Sequence, residues 1–178
     1  MCLSLKDKSR RIYHEANVLY WAKALMKFTY DYIDKSIKEA QALPPFEIPW
    51  LHFMEAGLLL AYSNRPNAPQ GPGAPKPGTI STVYLAEELI PFTTDIDFIK
   101  YIHNGSATPC QLPDVTANEI AQFLAFMQHV QYTKTSSQVY ISDYQGMFIS
   151  NTNHAKHMLT PYICSVLLLT DPQILTHP

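Results

Sequence analysis

The chain has 178 residues, enough for one domain or for two small lobes around a shared cleft, and its 47% hydrophobic content can fill a packed core. A formal charge of −2, with no Lys/Arg cluster beyond "KDKSRR" near the start, argues against a nucleic-acid surface. The cysteines Cys2, Cys110 and Cys164 are odd in number and far apart, so they imply no disulfide framework, and "AGLLLAY" and "SVLLL" fall far short of a membrane span; the expectation is a soluble cytoplasmic protein.

From Arg11 to about Glu39, the apolar residues Val18, Trp21, Ala22, Leu25, Met26, Tyr32 and Ile33 recur at helical spacing, with Lys23, Lys27 and Asp31 between them. This predicts a long amphipathic helix that stops before Pro44-Pro45, since proline lacks a donor and disfavours helix in the residue before it. Short apolar segments, "FEIPW" and "FMEAGLLLAY", follow. The stretch "NRPNAPQGPGAPKPG", Asn64 to Gly78, is too rich in Pro and Gly to pack regularly and reads as a flexible loop between two strands. A linker between domains is the competing reading, disfavoured because neither side alone carries a complete core.

"TISTVYLAEELI" begins as a strand and turns acidic at Glu87-Glu88, and "TTDIDFIKYIHN" reads as a short helix stopped by Asn104-Gly105. Thr116 with Glu119 has the spacing of a capping box, ahead of a helix whose buried stripe is Ile120, Phe123, Leu124, Phe126, Met127 and Val130. That helix carries His129 toward its end. Helices and strands are grouped rather than alternating, which indicates the α+β class.

Next, "QVYIS" reads as a strand running through Asp143 and Gln145 into a turn at Gly146. Residues i and i+2 of a strand point the same way, so a carboxylate and a carboxamide would aim two hard oxygens at one point. Magnesium favours such a site, because it takes one or two protein oxygens and leaves its other positions to water and phosphate. A polar strand end is the plain alternative. In "TDPQ", Asp171 precedes a proline that biases its backbone to an extended form, which suits a general base; a common Asp-Pro turn start is the alternative.

In order along the chain, "FLAFMQHVQY", the strand into "SDYQG" and "LTDPQILTHP" resemble the C-terminal lobe of the alpha-type (atypical) protein kinases, the family of the myosin heavy chain kinases. "EELI" followed by "FIKYIHN" resembles that family's inter-lobe hinge and its Lys-Tyr plus Asn segment, and "HEANVLYWAKALMKF" resembles its N-lobe helix. The Asp-x-Gln-Gly and Thr-Asp-Pro-Gln pair is the most specific part. The resemblance implies a two-lobed kinase-like fold, with residues 1–86 as a partial N-lobe and 87–178 as hinge and partial C-lobe. It implies transfer of the γ-phosphate of ATP to a Ser or Thr hydroxyl of a protein substrate.

By the same resemblance, Asp143 and Gln145 are the magnesium ligands and Asp171 is the catalytic aspartate. Glu87 and Ile90 would offer hinge backbone groups to adenine, with Glu88 the alternative if the register is off by one. Glu15 stands where the family has an acidic partner for its ATP-binding lysine; a solvent-facing helix charge is the alternative. His129 matches the first of four zinc ligands, otherwise being an ordinary helix histidine.

Set against the family's pattern, the ATP-binding lysine and glycine-rich loop are expected upstream of Met1, and the substrate loop and remaining zinc ligands beyond Pro178, which leaves the Zn²⁺ ligand set incomplete. Ile149 to Ser165 reads as an insertion and an irregular loop; His154, His157 and Cys164 within it have only weak metal-site spacing. A catalytically inactive remnant that binds other proteins through its aromatic surfaces is the alternative to an active kinase.

Overall fold

The computed structural model describes residues 4–42, 44–63, 78–89, 98–106, 108–150, 165–170 and 172–176, with backbone alone at 5, 148–150 and 165–167. The elements run α1 (Leu5–Glu39), β1 (Leu51–Phe53), β2 (Ala56–Tyr62), β3 (Ile80–Glu87), β4 (Ile99–Lys100), α2 (Val115–Lys134), β5 (Val139–Ser142), β6 (Gln145–Ser150), β7 (Ser165–Thr170) and β8 (Gln173–Thr176). The architecture is mixed α and β, with grouped elements as expected. The chain divides into two compact units, Met1–Asn17 with Glu55–Leu89, and Val18–Met54 with Ile90–Pro178.

In the first unit, β2 and β3 form an antiparallel pair running from Ala56 opposite Glu87 to Tyr62 opposite Ile80. The Pro/Gly-rich stretch therefore joins two strands, as its composition indicated; residues 64–77 lie outside the described residues. Gly78 closes onto β3 at φ 80°, a conformation that a residue with a Cβ adopts at a cost. The first turns of α1 meet the pair where the Lys8 ammonium lies 5.0 Å from the centre of the Tyr84 ring.

The second unit is built on a four-stranded sheet of order β1-β7-β6-β4, with β1 parallel to β7 and the other pairs antiparallel. A two-stranded β5-β8 pair accompanies it. Strand β7 is central, and Leu168, Leu169 and Thr170 are all buried, the run expected of a strand covered on both faces. Buried Leu19, Ala22, Leu25, Met26 and Ile33 give α1 its apolar stripe, and Ala117, Ile120, Leu124, Met127 and Val130 do so for α2. The Tyr30 hydroxyl donates to the Pro49 carbonyl at 2.8 Å and accepts from the Leu51 amide at 2.9 Å, fastening the start of β1 to α1.

Several local expectations are corrected. Helix α1 starts at Leu5 rather than Arg11, helped by Ser4, whose hydroxyl accepts from the Asp7 amide. Trp21 is 59% exposed and Phe126 45% exposed, so neither belongs to its helix's buried stripe. The N-cap of α2 is Asp114, which accepts from the Ala117 amide at 2.7 Å; Thr116 lies inside the first turn, so there is no capping box there.

The described part of "TTDIDFIKYIHN" is extended, not helical. Ile99 and Lys100 pair with Gly146 and Gln145, and the Tyr101 and Ile102 amides donate to the Tyr144 carbonyl, so tertiary pairing overrides the local pattern. Its glycine does mark a turn, with Gly105 at φ 77°. The supposed insertion is strand at both ends, since Ile149 and Ser150 pair with Val166 and Ser165; residues 151–164 lie outside the described residues.

Candidate active site

Two glutamines of α2 position the strand that leads into the site. Gln131 Oε1 accepts from the Ile141 amide at 2.9 Å, and Gln128 Nε2 donates to the Ile141 carbonyl at 2.8 Å. Both backbone groups of that β5 residue are thus satisfied in a buried place where an unpaired group is costly. Gln131 Nε2 also donates to the Thr29 hydroxyl of α1 at 3.2 Å, so one side chain ties two helices and a strand together.

Beyond Ser142 the chain breaks. Asp143 takes φ 61°, the left-handed region open to Asp and Asn at modest cost, and Tyr144 is fully buried with its ring stacked 6.3 Å from Phe53. Asp143 and Gln145 are therefore not alternate residues of one strand: β5 ends at Ser142 and β6 begins at Gln145. Their convergence is achieved by the break rather than by the pleat. Gly146 is likewise not a turn residue but sits inside β6. A Cβ there would press on the Leu168 carbonyl oxygen and lie 3.1 Å from the Leu169 Cα, so the backbone of β7 can pass only because glycine has no side chain.

Gln145 lies opposite Lys100 on one side and opposite Thr170 on the other. Residues opposite one another across antiparallel strands share a face, so these side chains form one row. The Lys100 ammonium donates to Gln145 Oε1 at 3.1 Å and forms a close ion pair with Asp143 Oδ1, which also accepts from the Asn104 amide at 3.1 Å. The lysine side chain is 30% exposed and the aspartate 14%, so the pair is partly withdrawn from water and weakly screened. The Thr170 hydroxyl is buried and has no hydrogen-bond partner among the described residues. What the arrangement offers is a carboxylate oxygen and an amide oxygen directed at one cation.

Three phenols of this unit are held protonated far into the alkaline range. Burial pushes Tyr30 up to about 12, opposed by its bond from the Leu51 amide; burial, reinforced by the Asp114 carboxylate, pushes Tyr101 to about 12. Burial also raises Tyr144, with the Gln131 amide working the other way.

The remaining sequence candidates lie on other elements or outside the described residues. Glu15 is exposed on the part of α1 that belongs to the first unit. Glu87 ends β3, exposed, opposite Ala56; the next residue, Glu88, donates its amide to the Glu55 carbonyl at 2.8 Å, and its carboxylate accepts from the Glu55 amide at 3.2 Å. His129 is exposed on α2. Among the described residues there is no group of three or more His, Cys, Asp or Glu able to hold a metal. Asp171 and Ile90 lie outside the described residues. Sequence reasoning assigned no role to Lys100, Asn104 or Thr170. Lys100 and Asn104 stand in the "KYIHN" segment, but only strand register reveals what they face.

The family model of the alpha-kinase family matches residues 6–178. The chain belongs to the alpha-kinase family. No curated protein and no solved structure matches it. Alpha-kinase membership implies protein kinase activity in general, with ATP and a divalent metal as cofactors and proteins as substrates. Within such an alpha-kinase chain, the Asp143–Gln145 convergence falls in the "SDYQG" segment that resembles the family motif.

Proposed function

We propose that the chain is an alpha-type protein serine/threonine kinase of two-lobed, kinase-like fold that transfers the γ-phosphate of ATP to a hydroxyl of a protein substrate. The observation that carries this reading is the convergence of Asp143 Oδ1 and Gln145 Oε1 on the single cationic group of Lys100. A carboxylate and a carboxamide oxygen suit Mg²⁺, which takes one or two protein oxygens and keeps most of its coordination for water and phosphate, better than Zn²⁺, which favours His nitrogen and Cys sulfur. When bound, the metal neutralises charge on the phosphates. Asp143 and Gln145 would hold it, with the Asn104 amide fixing the carboxylate's direction.

Asp171 is assigned the role of orienting the substrate hydroxyl and accepting its proton. Its chain neighbours support this: Thr170 pairs with Gln145, and Gln173 pairs with Ser142, the residue before Asp143. Glu87 and Ile90 are assigned to the adenine edge through their backbone groups, and Glu15 to an acidic partner of a lysine. His129, exposed on α2, is given no part in the reaction.

The test is transfer of labelled γ-phosphate from Mg·ATP to a basic Ser/Thr substrate, with Asp171→Asn alongside. Loss of a proton acceptor is expected to lower the rate by about 100-fold or more. A second reading, an inactive remnant that binds other proteins, is favoured by the exposed aromatic residues Tyr20, Trp21 and Phe28 on α1. Folded protein with no incorporation and no Mg·ATP binding would decide for it.

A further inference from the structure

We infer that Lys100 is a positioning residue that acts as the built-in counter-cation of the metal site: its ammonium holds Asp143 and Gln145 together and competes with a divalent cation for the same oxygens. The inference rests on the metal reading above and goes beyond it. Lys100 shares a sheet face with Gln145 by register, since the two lie opposite one another in the β4–β6 pair. Its ammonium touches one oxygen of each proposed ligand. Asp143 is held in the left-handed region, a conformation whose cost is offset by the ion pair and by the Asn104 amide.

Two positive charges cannot share these oxygens at contact distance. At a few ångströms, in surroundings as shielded as these, their repulsion exceeds thermal energy several-fold. Lys100 must therefore leave the cradle when a divalent cation takes it. Its four-carbon stem has rotatable bonds enough to swing the ammonium aside without moving β4. Nearby Thr170, whose hydroxyl is buried beside Gln145 with no partner among the described residues, leaves a polar group free to serve the loaded state.

The experiment titrates Mn²⁺ alone, without nucleotide, into the full chain and follows the free ion by electron paramagnetic resonance. Wild type, Lys100→Met and Asp143→Asn are compared. Lys100→Met keeps the stem and removes the charge, and is expected to bind Mn²⁺ about tenfold more tightly than wild type. Equal or weaker binding would overturn the inference, because a lysine that merely supports the metal site would lower affinity when removed. Asp143→Asn separates the two readings. If it binds Mn²⁺ as wild type does, the metal site itself is wrong, whatever Lys100 does, and the inference falls with it. A second arm needs no variant of Lys100: brief acetylation of the wild-type protein, read by mass spectrometry at the peptide carrying Lys100. Modification there is expected to rise several-fold with Mn²⁺, as the ammonium is released. No rise, with Mn²⁺ bound, overturns the inference, and this arm decides alone if Lys100→Met does not fold.

Discussion

Gly146 illustrates what single residues decide in this protein. Its neighbour Gln145 can reach the Lys100 ammonium because β6 lies tightly between β4 and β7, and that approach leaves no room for a Cβ against the Leu168 carbonyl. Gly146→Ala is expected to destabilise the chain by about 1–3 kcal/mol, since a backbone neighbour cannot step aside as a side chain can. A lowered urea midpoint at unchanged slope would show it; an unchanged midpoint would mean the strands can part without cost. From the sequence this glycine suggests a turn, because Gly after polar residues most often serves one, and nothing local announces a strand passing behind it. Asp143 is the converse case. Its residue type and its neighbour Gln145 were legible as oxygen donors, while the break at φ 61° that aims them was not.

At the scale of elements, α2 both packs and positions. Its cap and its glutamines can be separated by experiment. Asp114→Ala is expected to cost about 1 kcal/mol, because the Ala117 amide loses its acceptor. Thr116→Ala should fall within about 0.5 kcal/mol of wild type, and a larger loss there would restore the capping box that the structure replaces. Gln131→Leu leaves the buried Ile141 amide unpaired and should cost about 1–3 kcal/mol in thermal or urea unfolding. The helices were readable from apolar periodicity, since a buried stripe recurs every three or four residues whatever lies beneath it. Strand β4 was not readable. Its Ile99–Lys100 pair is too short to show a period, and its conformation is imposed by Gly146 and Gln145, far along the chain.

For the molecule as a whole, the buried phenols predict how stability responds to alkali. Tyr30 and Tyr101 are raised from 10.0 to about 12, so the folded chain keeps protons that the unfolded chain releases in that interval. Their contribution is complete below pH 10 and is lost as pH climbs toward 12. Unfolding free energy, measured by urea from about pH 9 to about pH 12, should fall across that window, with Tyr30 accounting for on the order of 1–2 kcal/mol. Tyr30→Phe should flatten part of the decline; an unchanged slope would remove Tyr30 as a cause. The sequence by itself determined the α+β class, the presence of the two long helices, the two strands flanking the Pro/Gly stretch and, through its motifs, the alpha-kinase family. These depend on local pattern: periodicity, breakers and short ordered signatures. Only the tertiary structure decided that Val18–Met54 packs with Ile90–Pro178, that Lys100 and Thr170 flank Gln145, and that a lysine ammonium stands between the two proposed metal ligands. Those facts depend on strand register between residues distant in the chain, which is set by burial and backbone pairing across the whole unit rather than by any neighbouring residue.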